Sequence, residues 1–183
     1  MKQGTISVLY GCHSPFHSFL VLIAWIKLYR KIPKFWQVVC ILLHDIGHCG
    51  LNYLDNLEEK KIHWQKGARI AERMFGEKGW YFVASHCSYS GCNIGKLKKA
   101  DKYSWYIAPK WWLFLNTLAE PKLRMGYGTW EAVNKFKEQV KESVESGQFR
   151  STHQMYLERC NRLQKEDKSK EMEGHTPRPL SRR

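Results

Sequence analysis

The segment Leu42-Leu43-His44-Asp45-Ile46-Gly47-His48 sets two imidazoles and a carboxylate at the end of a strongly apolar run. A buried helix does not ordinarily carry an acid there, because an unpaired buried carboxylate costs several kcal/mol. A bound cation offsets that cost and uses both side chains of the His-Asp pair. Imidazole nitrogen and carboxylate oxygen are both good ligands for borderline divalent metals. Further donors of the same kinds are spread along the chain at His17, His63, His86 and Asp101. His13 lies four residues before His17, and His17 is the expected ligand because it falls inside the helix. Each has an ordinary explanation when taken singly, as a hydrogen-bonded histidine or a solvated acid. The expectation rests on the set.

His48 follows His44 by four residues. It is expected to contact phosphate or donate a proton, or else to be a cation favoured by a helix C-terminus. Lys102, beside Asp101, is a candidate phosphate contact or a solvent-facing lysine. Around Asp101 the chain is basic and aromatic: Lys96, Lys98, Lys99, Lys102 and Lys110 lie among Tyr103, Trp105, Tyr106, Trp111 and Trp112. Cations hold phosphates and aromatic faces stack bases, although tryptophans equally serve core or dimer contacts. Lys135, Lys137 and Lys141, with Glu131, Glu138, Glu142 and Glu145, read as an exposed helix face with ion pairs at helical spacing.

Helices must position these donors. Ser14-Pro15 reads as an N-cap followed by proline at the first helical position. It opens a largely buried helix over 16–30, with Phe19, Leu22, Ile23 and Ile26 among its apolar residues. Pro33 can open a second helix reaching Ile46, ended by Gly47 and Gly50. Residues 51–61 read as a polar connector. A third helix is expected over 62–75, with Ala68, Ile70, Ala71, Met74 and Phe75 as its apolar stripe, and a short one over 80–85. A turn-rich link covers 88–95, and a helix covers 96–107 until Pro109 stops or restarts it. Residues 111–118 form an apolar segment, Thr129 caps a helix to about 146, and a last helix is expected over 151–163. No strand-like alternation persists. The fold expected is all-α, one helical domain over 1–163 followed by a flexible charged tail over 164–183.

The 183 residues fit one domain, and 43% hydrophobic content rules out wholesale disorder. Thirty basic against seventeen acidic residues give +13, which favours anionic partners without specifying a fold. The apolar stretch over 16–46 is broken by a basic segment from Lys27 to Lys34, so neither half reaches the ~20 residues needed to span a bilayer. The first nine residues do not read as a signal peptide. Six cysteines without a C-x-x-C pair argue against zinc fingers and thioredoxin-like motifs. They are expected as reduced thiols in a cytoplasmic protein, with Cys40 in the core.

The ordered set resembles the HD-domain superfamily of metal-dependent phosphohydrolases. That pattern is a histidine on one helix, a His-Asp pair ending the next, and a later aspartate, matched here by His17, His44-Asp45 and Asp101. His63-Trp64-Gln65-Lys66-Gly67-Ala68-Arg69-Ile70-Ala71-Glu72 is similar to the helix start of the bimetal branch. His86 falls where its next histidine is expected, and Lys99-Ala100-Asp101-Lys102-Tyr103-Ser104 is similar to the closing segment. The resemblance covers residues 14–105. It implies a metal site between helices, with His17, His44 and Asp101 on one ion, His63 and His86 on the other, and Asp45 bridging. One or two divalent ions are expected, with Mn, Fe, Co, Ni and Zn all open. The implied activity is hydrolysis of a nucleotide or cyclic nucleotide by a metal-activated water, with Asp45 and His48 as catalytic candidates and His48 and Lys102 as substrate contacts. A di-iron oxygenase occurs among relatives of this ligand set, and a basic nucleic-acid-binding protein without catalysis is the reading from a different class. No membrane partner is expected, and oligomers remain open.

Overall fold

Every regular element that the computed structural model describes, over residues 1–52, 57–124, 126–150 and 155, is helical. α1 (Gln3–Leu9) precedes α2 (Pro15–Tyr29) and α3 (Phe35–Leu43), and a 3-10 turn over Ile46–His48 follows. Next come α4 (Leu57–Lys61), α5 (His63–Phe75), α6 (Glu77–Ala84), a 3-10 turn at Ser88–Ser90, α7 (Lys96–Ile107), α8 (Lys110–Ala119) and α9 (Thr129–Glu145). Residues 1–149 form one unit. The helix expected over 151–163 and the tail over 164–183 lie outside the described residues, apart from Met155. No helix among the described residues is long and apolar enough to cross a membrane.

α3 is the central partition. Ile41 faces one core, with Val21, Ala24 and Trp25 of α2 and Leu97 and Ala100 of α7. Cys40, one position earlier, faces a second core with Ala68 and Ala71 of α5 and Val83 and Ala84 of α6. The second core is built from small residues, which lets the backbones approach. A Cβ built on Gly67 of α5 would lie 2.5 Å from the Leu43 carbonyl oxygen, so α5 can lie this close to the end of α3 only without a side chain there. Large aromatics, Trp36, Trp64, Phe75, Trp80 and Phe82, seal the rim of this core.

Several sequence expectations shift by a face or a turn. α2 buries His17, Leu20, Val21, Ala24 and Trp25, whereas Phe19 and Ile26 are exposed. Its sequence is apolar nearly all round, so hydrophobicity does not select a face, and the face that carries His17 is the one that packs. On α5, Met74 is exposed and Gly67 joins Ala68 and Ala71 in the buried stripe. α1 forms where no helix was expected, and the connector before His63 holds the short α4. Ser14 and Thr129 make no side-chain cap: Ser14 stands at the N-cap of α2 without a capping hydrogen bond, and Thr129 is already the first residue of α9. The helix that carries Asp45's neighbours ends at Leu43, and His48 lies in the 3-10 turn beyond it.

Lys137 also departs from the exposed face proposed for α9. Its ammonium donates to the carbonyls of Trp105 (3.3 Å), Tyr106 and Ala108 (3.0 Å), closing the C-terminal end of α7 where helix carbonyls lack partners. Its neighbours Lys135 and Lys141 do make the expected surface pairs with Glu131 and Glu145. Trp105 and Trp112 are buried, while Trp111 is exposed. The five described cysteines are free thiols, and Cys40 is buried.

Candidate metal centre

Asp45 occupies the position after α3 where the chain turns, and the surrounding helices direct imidazoles onto it. His13 Nδ1 lies 2.9 Å from Asp45 Oδ2, His44 Nε2 3.1 Å and His17 Nε2 3.3 Å. His48 Nε2 and His86 Nε2 each lie 3.7 Å from Oδ1. His63 Nε2 is 3.1 Å from His86 Nε2. Asp101, from α7, sits 3.2 Å from His17 Nε2 and holds the Lys102 ammonium at 2.5 Å. His17, His44, His48, His63, His86, Asp45 and Asp101 are all buried. Donor atoms within 4.8 Å of one another fall into three groups: His13, His17 and Asp45; His17, His44 and Asp101; Asp45, His48 and His63.

Backbone carbonyls fix the orientation of three rings. His44 Nδ1 donates to the Ile41 carbonyl at 2.6 Å, His63 Nδ1 to Lys60 at 2.6 Å, and His86 Nδ1 to Val83 at 2.5 Å. A carbonyl only accepts, so Nδ1 carries the proton and Nε2 is left for the centre. This is the arrangement that orients metal-binding imidazoles, in which the outer nitrogen is held by a carbonyl or carboxylate. The remaining rings are held by stacking. His13 stacks on His48 with centroids 3.8 Å apart, and His48 stacks on His63 at 4.2 Å. His17 is stacked against Trp105 at 4.6 Å.

The electrostatics divide the rings. Burial alone would lower the pKa of His17, but hydrogen bonds and charge from Asp101 and Asp45 raise it from 6.5 to about 9. Burial lowers His86 to about 4, helped by His44. His48 and His63 are likewise pushed well down, first by burial and then by neighbouring imidazoles. Burial would raise Asp45 and Asp101, yet their neighbours hold both well below the usual carboxylate range, the His44 and His13 imidazoles for Asp45 and the Lys102 ammonium for Asp101. His63 and His86 are therefore neutral near pH 7. Both have Nδ1 engaged, so their Nε2 lone pairs face each other at 3.1 Å with no proton to share. His44 Nε2 is also buried without a hydrogen bond, 3.1 Å from Asp45 Oδ2. Lone pairs aimed at one another and at a carboxylate fit a divalent cation between them.

Stability should report this division. The contribution from His17 in the ion-free chain is complete below its ordinary pKa of 6.5 and is lost as pH rises through about 9. The contribution of neutral His86 is lost as pH falls from 6.5 toward about 4, because the unfolded chain then binds the extra proton. Denaturant titrations of ion-free protein are expected to show maximal stability around pH 6.5 with a fall on both sides. Saturating divalent ion is expected to remove the alkaline fall, since ligation holds the imidazole deprotonated. A flat alkaline limb in the ion-free protein would contradict the pairing of His17 with the two carboxylates.

The structure brings all six sequence-named ligands, and His48, to one centre. His48 is a buried ring in the cluster and not an exposed helix-end cation. Lys102 is turned onto Asp101 and away from solvent. His13 and His17 do not exclude each other: His17 alone reaches Asp101, while His13 approaches Asp45 from the side of His48. Glu120, at the end of α8, went unnoticed in the sequence, where an acid before Pro121 looks like a surface residue. It is fully buried, and its Oε1 accepts the Cys12 amide at 3.0 Å, fixing the loop that carries His13. Glu120→Ala is expected to cost about 1–3 kcal/mol by leaving that amide unmet, measured by urea unfolding. An unchanged midpoint would show the loop is held otherwise.

No family model, curated protein or solved structure matches the chain.

Proposed function

We propose that the chain is a metal-dependent phosphohydrolase acting on a nucleotide or cyclic nucleotide. One observation carries the metal part of this reading: the Nε2 atoms of His63 and His86 confront each other across 3.1 Å with both Nδ1 protons committed to carbonyls. His17, His44 and Asp101 form one donor group, and Asp45, His48 and His63 another, with His86 beside it, 3.1 Å from His63 and 3.7 Å from Asp45. A bound divalent ion would supply Lewis acidity toward a phosphoryl oxygen and lower the pKa of coordinated water from ~15.7 toward ~7. The chain's own residues do the rest. Asp45 offers one oxygen to each group. Lys102, held by Asp101, places an ammonium beside the centre where an anionic substrate needs it. The parallel rings of His13 and His48 wall one side. Trp105 and Trp112 stack behind His17 and keep water from its far face.

The test is elemental analysis of protein purified without chelators, followed by a panel of nucleoside mono-, di-, tri- and cyclic phosphates under the metal found. Bound metal with phosphate or nucleotide release supports the reading, and a metal-free, inactive protein removes it. An iron signal sensitive to oxygen would assign the same donors to an oxygenase. The +13 charge favours a second reading as a nucleic-acid-binding protein. Salt-sensitive binding to RNA or DNA, retained in His44→Ala and Asp45→Ala and accompanied by no hydrolysis in the unmodified chain, would select it.

A further inference from the structure

Lys98 stands three residues before Asp101 and four before Lys102 on α7, so all three share one face of the helix near the centre. It is only 5% exposed. Its ammonium donates to the Ser88 hydroxyl at 2.7 Å, and no carboxylate among the described residues forms an ion pair with it. Ser88 is exposed and belongs to the turn that follows His86. Asp101 favours the charge without pairing with it, since its two oxygens are engaged by Lys102 and His17. Lys102 is also a neighbouring like charge, and together with burial it lowers the pKa of Lys98. Lys98 further lies in the first turn of a 12-residue helix whose N-cap, Gly95, supplies no side chain and whose first turn holds no acid. A cation is disfavoured at that end of a helix dipole.

Three separate effects thus oppose a positive charge at this place, and its hydrogen-bond partner among the described residues is a neutral hydroxyl. Buried ammonium groups are normally paired, because an unpaired one is costly to desolvate. Building such a group beside a cluster of donor imidazoles makes sense if an anion completes it. The neighbouring cation, Lys102, is already on the centre. Lys98 is one helical turn further along the same face, toward the surface marked by Ser88. One turn is about 5.4 Å, a separation that outer oxygens at opposite ends of a diphosphate can bridge.

We infer that Lys98 and Ser88 form a subsite for a second phosphoryl group, next to the one held at the Asp45 centre and Lys102. This rests on the phosphohydrolase reading and narrows its substrate class to compounds with two or more consecutive phosphates, such as a nucleoside di- or triphosphate. Ser88 Oγ, which accepts from Lys98, remains free to donate its own proton to a phosphate oxygen. Lys98 supplies a charge-assisted hydrogen bond that a monophosphate does not reach. Tight binding of a monophosphate alone would leave the Lys98 charge uncompensated.

The experiment uses inorganic pyrophosphate and orthophosphate as probes, titrated calorimetrically into the full chain as purified, with metal content measured before and after. Unmodified protein is expected to bind pyrophosphate at least 10-fold more tightly than orthophosphate. Lys98→Met is expected to weaken pyrophosphate about 10- to 100-fold, the range for a hydrogen bond to a charged group, and to change orthophosphate less than about 2-fold. Ser88→Ala, at an exposed position, is expected to give a smaller loss in the same direction. Lys98→Met should also raise the thermal midpoint in the absence of anion, since it removes an unpaired buried charge. An unchanged ratio of the two affinities in both variants overturns the subsite, as does equal weakening of both anions or failure of the unmodified chain to prefer pyrophosphate. None of those results bears on whether Asp45 binds metal, which is read separately from the metal content.

Discussion

Asp45→Asn is expected to remove bound metal and catalytic turnover together while leaving the helical signal intact. Asp45 reaches both sides of the centre with its two oxygens: its Oδ2 lies against His13, His17 and His44, and its Oδ1 faces His48 and His86. Asparagine fills the same space but presents one neutral oxygen and an NH2 group, so one side of the centre meets a donor where it needs an acceptor. Loss of an outer-shell partner alone costs roughly 10- to 100-fold in metal affinity. Loss of the shared carboxylate is expected to exceed about 100-fold at both groups. Elemental analysis, circular dichroism and turnover on the nucleotide panel measure the three parts. Retained activity would remove Asp45 from the mechanism. Loss of metal from one group only would show that the other is held by His17, His44 and Asp101 without it.

Gly47→Ala is expected to be among the most damaging single-methyl changes available in this chain. A Cβ at position 47 would lie 1.5 Å from the His63 carbonyl oxygen and 2.6 Å from the His63 carbonyl carbon. The obstacle is main chain at the start of α5, so rotation of a side chain does not relieve it. Over-packing costs typically about 1–3 kcal/mol and occasionally more, and here the upper end or beyond is expected. The 3-10 turn bearing His48 and the helix start bearing His63 must separate, which breaks the parallel contact of those two rings. Thermal unfolding should show the loss of stability. Metal titration should show the His48, His63 and His86 group weakened more than the His17, His44 and Asp101 group. An alanine variant with an unaltered midpoint would mean that this contact does not exist in solution.

The donors were legible because each is tied to a local signal. His44-Asp45 terminates an apolar run, His63 opens a helix rich in small residues, His86 follows a short helix, and Asp101 is an acid on an otherwise packed face. The all-helical class followed from the same periodicities. What escaped was set by contacts between distant segments. The buried face of α2 was not readable, because apolar residues surround the helix and only packing against α3 and α7 chooses Val21 and Trp25 over Phe19 and Ile26. The sequence favours His17 over His13 because His17 falls inside the helix, yet the loop that holds His13 is fixed by Glu120, more than a hundred residues away. Lys98 and Lys137 look like surface lysines in any reading of charge runs, and only the tertiary structure reveals that one is buried and the other closes a helix end.

The three rings that lean on Ile41, Lys60 and Val83 do so through peptide oxygens three positions earlier in the chain. Their protonation pattern is therefore set when the helices form and does not wait for an ion to arrive. Nitrogen-15 spectra of chelator-treated protein should already show these imidazoles in a single tautomer, with the nitrogen facing the centre bare. Ion uptake would then require no ring flip at any of the three, so its rate should follow the opening of a path for the ion and not a rearrangement of the ligands.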